Sequence, residues 1–452
     1  MSSVTDEGGE ELQLGRSFEP AAPWTGLIER VLLANHRAYS GSTLLLVDRH
    51  SAAASMRVAL AKSALPSLAL VLALFAGCGG GSDSAGSSSA GLPKTITIGA
   101  AIAKSGYLAP YDASVAAVEQ LVDETNARGG VGGSKLRVVQ VDNRSDPQQA
   151  PVAAQEAVEE GADVLLFSGE AFTAAAAAPV AEENDQLNFT LSVNEPGFGP
   201  PTTGRLSFTA YPSVLSEASA DATFLQARGI ERPFLLRDTA IIYGKADCSG
   251  FQQAWEHLGG AIAGSADFKN EDASIASQVS QLKKSDADAV MVCSYPPGGA
   301  AAIKQIRAAG IDLPIMAAGT FDGTYWLKGI SNTEDIYVAL NGSAYDPPDR
   351  ASAKLFKKLE SAGVETDVSS VLLSAYAAGQ LMIEAIEETG SLDGNALADA
   401  LEAKPHQTVI GKIAYTKDDH YPSGSWPIYV FSDGKPKLVT EVTPHFLPEY
   451  GV

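Results

Sequence analysis

From Lys94 onward the chain alternates short β-rich runs with longer helical segments, and this alternation constrains the fold more than any single motif. A strand, a helix and a further strand in repetition is the sequence form of a parallel sheet covered on both faces. TITIGAAIA (Thr95 to Ala103) reads as a strand. Tyr111 to Ala127 reads as an amphipathic helix with Val115, Val118, Leu121 and Val122 on its apolar face. KLRVVQVDN follows as a strand, and an Asp-Pro start signal opens a helix over Asp146 to Glu160. The strand ADVLLFSG, a helix over Thr173 to Asn184 and the strand LNFTLSV complete one doubly wound set before residue 210.

The cycle then restarts with a helix over Ser216 to Arg228, the strand PFLLRD, a helix over Gly250 to Leu258 and the strand AIAGSADF. A helix over Ile275 to Lys284, the strand ADAVMVCS and a helix over Ala300 to Ala309 continue it. Beyond LPIMAAG come the loop GTFDGTYWLKG, the run DIYVALNGS, a long helical region from Ala351 to Thr389, and a β-rich tail. That tail carries an Asp-Gly hairpin signal at Asp433 and Gly434. The fold class expected is α/β, two doubly wound, Rossmann-like lobes, each with its own core; 452 residues suffice for both.

A net charge of -22 argues against a nucleic-acid partner, which needs concentrated Lys and Arg, and suits a soluble, self-repelling monomer. The three cysteines form no CxxC or Cys/His array, so neither a metal nor a cofactor is expected. The six histidines include no HExxH, and no G-x-S-x-G elbow ends a strand, so hydrolase chemistry lacks its usual parts and no catalytic residue is assigned. Carboxylates brought together from distant loops keep an extracellular hydrolase open as an alternative. GGVGGSK (Gly129 to Lys135) follows a helix and has Ser before Lys, so it reads as a helix stop and not as a phosphate loop. Asp418, Asp419 and His420 read as a solvated turn.

Residues 56–78 have the form of a secretory signal: Arg57 and Lys62, an apolar run from Leu65 to Phe75 too short to span a bilayer comfortably, then small residues and Cys78. The ending LFAGC resembles the lipobox of bacterial lipoproteins, which implies lipidation of Cys78 and anchorage to the cell membrane; simple cleavage and release, and a transmembrane anchor, are the alternatives. Residues 79–93 read as a Gly/Ser tether, and residues 1–55 as an upstream extension without a structural role.

Four segments in order carry a family resemblance: TITIGAAIAKSGYLAPYDAS, ETNARGGVGGSKLRVVQVDNRSDPQQA, AAAPVAEEN and YGKADCSGFQQAWEHLGGAI. Over about 94–445 the chain resembles the type I periplasmic-binding-protein family, in the branch that binds leucine, isoleucine, valine and related solutes for ABC importers. The resemblance implies two lobes joined by three crossings and closing by a hinge, with 94–211 and 319–417 in lobe 1 and 212–318 and 418–446 in lobe 2. It implies a small-molecule ligand, an amino acid or a related polar or carboxylate compound, and a membrane permease as partner. A ligand sensor of the same fold is the alternative.

Ligands of open α/β sheets lie beyond the carboxyl ends of the strands, which directs attention to particular loops. By the resemblance, Tyr111 lines the cleft, with Ser105 as a hydroxyl donor beside it. The helix start at Ala171, Phe172 and Thr173 offers unpaired amides to a carboxylate; Thr173 is read either as a hydroxyl donor to the ligand or as a helix cap. Ser192 and Asn194 end the next strand, and Tyr243 and Tyr295 face them from the second lobe. Phe321, with Tyr325 and Trp326, supplies an aromatic wall. The amino-acid binders carry an acidic residue just after the position of Tyr295, where this chain has Pro297 and Gly298; Glu170, Glu195 and Asp322 are the candidates to replace it. Cys248 and Cys293 both fall in the second lobe, and export would favour a disulfide between them.

Overall fold

A computed structural model describes residues 91–200, 202–366, 369–422 and 424–450. The expected extension, the signal segment with Cys78, and the tether up to residue 90 lie outside the described residues.

Strand β1 (Thr95–Ile102) is buried at every position but its first, because helices cover both of its faces. It is flanked by β2 (Lys135–Asp142) and β3 (Val164–Phe167), followed by β4 (Asn188–Thr190) and β5 (Ser207–Thr209). The five are parallel and ordered β2-β1-β3-β4-β5. Among them run a single turn α1 (Ala109–Asp112), α2 (Val115–Ala127), α3 (Ala150–Glu159) and α4 (Ala171–Glu183). The helix expected from Tyr111 is thus broken near Ala113 and Ser114.

The second sheet holds β6 (Pro233–Asp238), β7 (Gly264–Phe268), β8 (Ala289–Cys293), β9 (Ile315–Ala317) and β10 (Ile336–Ala339). A hairpin of β11 (His406–Thr408) and β12 (Gly411–Ile413) stands apart from it, and the tail strands β13 (Trp426–Ser432) and β14 (Lys435–Val442) complete it. The order is β14-β13-β10-β9-β8-β6-β7, with the two tail strands antiparallel and the other five parallel. Asp433 and Gly434, at φ 52° and 73°, turn β13 into β14 as the Asp-Gly signal predicts. Helices α5 (Val214–Ala227), α6 (Ile242–His257), α7 (Ala276–Lys284) and α8 (Gly298–Ala308) flank this sheet.

Three later helices, α9 (Ala351–Ser361), α10 (Ser369–Thr389) and α11 (Gly394–Ala403), return to the first lobe. Leu355, Leu373 and Leu381 join Ile98, Val118 and Phe189 in its core. α10 is long and apolar enough to cross a membrane, yet 83% of its apolar stretch is buried, as befits a core helix. The chain crosses between lobes near 210–213, near 340–343 and again before β13.

The expected lobe limits change in two places. Residues 319–340, assigned above to the first lobe, belong to the second: β10 pairs with β9, and Phe321, Trp326, Ile336 and Leu340 fill the second core. Residues 418–422 stay with the first lobe. His420 there is buried, stacked on Phe208 at 3.6 Å, with Nδ1 3.0 Å from the Ser207 carbonyl and Nε2 3.2 Å from Glu402, so it is no solvated turn residue.

Candidate functional site

The loops leaving β1, β3 and β4 in the first lobe, and β6, β8 and β9 in the second, converge on one cleft. Its first-lobe floor is fixed by a buried acid: Asp112 accepts the Ala103 amide at 2.8 Å and the Gly169 amide at 2.9 Å, tying the loop after β1 to the loop after β3. Its second-lobe floor is fixed by Asn270, which donates to the Tyr295 carbonyl at 2.7 Å and to Ser294 Oγ at 3.1 Å. Gly298, first residue of α8, passes so close to Asn270 that a Cβ there would lie 1.9 Å from the Asn270 carbonyl oxygen.

Tyrosines stand on both sides of the gap. Tyr111 of the first lobe, 41% exposed, lies within electrostatic range of the phenols of Tyr295 and Tyr325 of the second. Tyr107 joins them: partial burial, then the charges of Glu170, Asp112 and Glu195 and the nearby Tyr295, push its phenol above the ordinary value. The wall is therefore aromatic, with Glu170 and Glu195 close to it.

The start of α4 is already occupied by side chains of this chain. Glu170 is the N-cap, and Oε2 accepts both the Thr173 amide at 3.0 Å and the Thr173 hydroxyl at 2.8 Å. The Glu195 carboxylate faces the amides of Ala171, Asn194 and Glu195 itself, and its Oε2 is sealed from solvent without a donor. Burial pushes this carboxyl up to about 7. A cavity of about 150 Å³ opens beside it, bounded by Glu170, Ala171, Phe172, Glu195 and, from the second lobe, Ile242. Phe172 and Ile242, 67% and 54% exposed, form an apolar mouth.

A family model described as periplasmic binding protein matches residues 95–435, both lobes and all three crossings. The chain belongs to the periplasmic binding protein family. Among curated relatives of this periplasmic binding protein, Leu/Ile/Val-binding protein homolog 3 of Brucella melitensis is 26% identical over 357 residues, 75% of this chain and 92% of the relative. Among solved structures, the branched-chain amino acid transporter substrate binding protein LivJ of Streptococcus pneumoniae, in complex with isoleucine, superposes with a TM-score of 0.65 at 22% identity. That match covers 76% of this chain and 99% of the other. A solute binding protein of an ABC transporter from R. palustris, in complex with 4-hydroxybenzoate, gives 0.67 at 18% identity, over 79% and 99%. The type I fold, two lobes each built on a parallel sheet, is thereby shared.

Within this binding protein the expected site residues divide. Tyr111, Tyr295, Ala171 and Phe172 are brought to the cleft. Ser192 and Asn194 line the loop after β4 but are largely covered, Ser192 Oγ donating to the Gly169 carbonyl at 3.4 Å and the Asn194 carbonyl accepting the Val214 amide at 2.9 Å.

Four expectations are corrected. The Ser105 hydroxyl donates to Asp142 Oδ2 at 2.8 Å, held there because Asp142 also gathers the Lys104 and Arg144 amides. Thr173 is wholly buried and its hydroxyl is spent on Glu170. Tyr243 is 5% exposed and points away from the cleft, donating to Glu217 Oε1 at 2.9 Å. Phe321 is fully buried, its ring 5.0 Å edge-on from Trp326, so both are core and only Tyr325 of that loop faces the cleft. Cys248, on α6, is bonded to Cys293 at the end of β8.

The groups that sequence reasoning underrated are Glu170 and Glu195, placed at the helix start, and Tyr107. For Glu170 the signal was present: it stands three residues before Thr173, the spacing at which a side chain reaches a first-turn amide.

Proposed function

We propose that this periplasmic binding protein captures a small solute bearing an amino group, an amino acid or a close relative, by closing its lobes, and delivers it unchanged to an ABC permease. The cavity bounded by Glu170, Ala171, Phe172 and Glu195 of the first lobe and Ile242 of the second carries the reading, since a guest there is gripped from both sides. Glu195, with Glu170 nearby, replaces the acidic residue absent after Tyr295 as countercharge to an ammonium. The aromatic faces favour a cation as well. The names of the relatives support an amino-acid ligand. The lipobox-like LFAGC supports attachment through Cys78 to the outer face of the membrane.

Thermal-shift screening against amino acids, amides, amines, short carboxylates, aromatic acids and polyols tests the ligand class, because a ligand bound only by the folded form raises Tm. The expected result is a rise with amino-group solutes, and recovery of the bound compound intact. A rise with aromatic acids alone, or recovery of a cleaved product, overturns the proposal.

A further inference from the structure

Behind the cleft, inside the second lobe, three carboxylates meet in a space closed to solvent. Glu217 and Asp221 stand one turn apart on α5, and Asp247 faces them from α6; all three are fully buried. One donor oxygen from each lies within 4.8 Å of those from the others. Both oxygens of Asp221, both of Asp247 and Oε2 of Glu217 have no hydrogen-bond donor. The neighbouring donors, the Tyr243 hydroxyl at 2.9 Å and the Gly319 amide at 2.5 Å, both serve Glu217 Oε1. Among the described residues no Lys, Arg or His pairs with any of the three.

Carboxylates withdrawn from water are tolerated when they are paired, hydrogen-bonded or bound to a metal. Asp221 and Asp247 are neither paired nor hydrogen-bonded, and the same two helices otherwise turn Ala218, Ala222 and Phe251 into an apolar core. The donor set is all oxygen and all carboxylate, which suits hard cations and not zinc or copper. Oxygens up to 4.8 Å apart fit around one ion at the roughly 2.3–2.6 Å typical of calcium.

We propose that Glu217, Asp221 and Asp247 form a site for one hard divalent cation of the calcium, magnesium or manganese kind, with Tyr243 orienting Glu217. The ion would join α5, which begins directly after the first crossing, to α6, and through Glu217 to the loop that follows β9.

The test strips the protein with EDTA and titrates it calorimetrically with CaCl2, MgCl2 and MnCl2 against NaCl at matched ionic strength. One ion per chain is expected for at least one of the three, with a rise in Tm that NaCl does not reproduce. Asp221→Asn and Asp247→Asn keep the side-chain shape and remove charge. In chelator each should melt above the parent protein, because repulsion is relieved; with the cation the order should reverse, because only the parent binds it. Tyr243→Phe should weaken binding by roughly 10–100-fold, as loss of a positioning hydrogen bond does. The proposal is overturned if no cation binds, or if both Asn variants stay ahead of the parent in chelator and in cation alike, the behaviour of acids that merely share protons.

Discussion

The carboxylate of Asp322, on the loop after β9 in the second lobe, accepts the Ser369 hydroxyl at 2.8 Å at the first turn of α10 in the first lobe. The Ser370 amide adds a second bond at 2.6 Å to the other oxygen. One buried side chain thus ties a strand end of one lobe to the core helix of the other, next to the second crossing.

Asp322→Ala strands the Ser370 amide and the Ser369 hydroxyl together. A loss of about 1–3 kcal/mol in urea unfolding is expected, the cost of a buried polar group left without a partner. Unchanged stability would mean that water replaces the tie.

Tyr111→Ala and Tyr295→Ala should each weaken the ligand about tenfold, as removal of an aromatic wall worth ~1–2 kcal/mol implies. Because Tyr111 is substantially exposed, its replacement should leave the unfolding free energy of the empty protein within about 0.5 kcal/mol. Full affinity in both variants would displace the site from this cleft.

Glu195 makes stability and binding depend on pH in opposite senses. Burial raises its carboxyl from 4.5 to about 7, so the fold holds this proton more tightly than the unfolded chain does. Its contribution is fully present below pH 4.5 and is lost as pH rises through 7. Unfolding measured across that window should show Glu195→Gln gaining on the parent protein as pH rises, then holding a constant lead. An ammonium ligand, which needs the ionised form, should bind the parent more tightly as pH climbs past 7 and bind the Gln variant with no such trend. Tightening on acidification would identify an anion at the Ala171 amide instead.

Reduction of the Cys248–Cys293 bond, or Cys248→Ala with Cys293→Ala, opens a span of 45 residues within the second lobe. A loss of about 2–4 kcal/mol is expected from the regained freedom of the unfolded chain. Denaturation with and without reductant measures it, and coincident curves would show that the bond adds nothing.

The strands were legible in the residues wherever both faces of the sheet are covered: β3 and β8 are unbroken apolar runs, and β1 is β-rich with only Thr95, Thr97 and Gly99 interrupting its apolar residues. Which sheet a strand joins was less legible. DIYVALNGS is a run whose own residues assign it to no sheet, and its pairing with β9 is a tertiary choice that local pattern does not encode. At the site, the helix starts were legible and their occupants were not, because glutamate is an unusual cap and Thr173 suited a ligand donor and a cap equally. Tyr243 was misplaced although its own helix held the clue: Tyr243 and Asp247, like Glu217 and Asp221, stand four residues apart and therefore share a face. Both pairs lie on the buried faces of their helices, which makes them an inward cluster and not a cleft wall.

The late return of α9, α10 and α11 to the first lobe bears on how the chain must be made. The face of β1 and α2 that carries Ile98, Val118 and Leu121 is covered by residues such as Leu373 and Leu381, more than two hundred positions downstream. An emerging polypeptide therefore keeps that surface bare until nearly all of it has been synthesised. Long-separated contacts of this kind are slow to form. The leading half by itself lacks the helices that cover this surface, and a fragment ending at the first crossing should aggregate at concentrations where the whole chain does not.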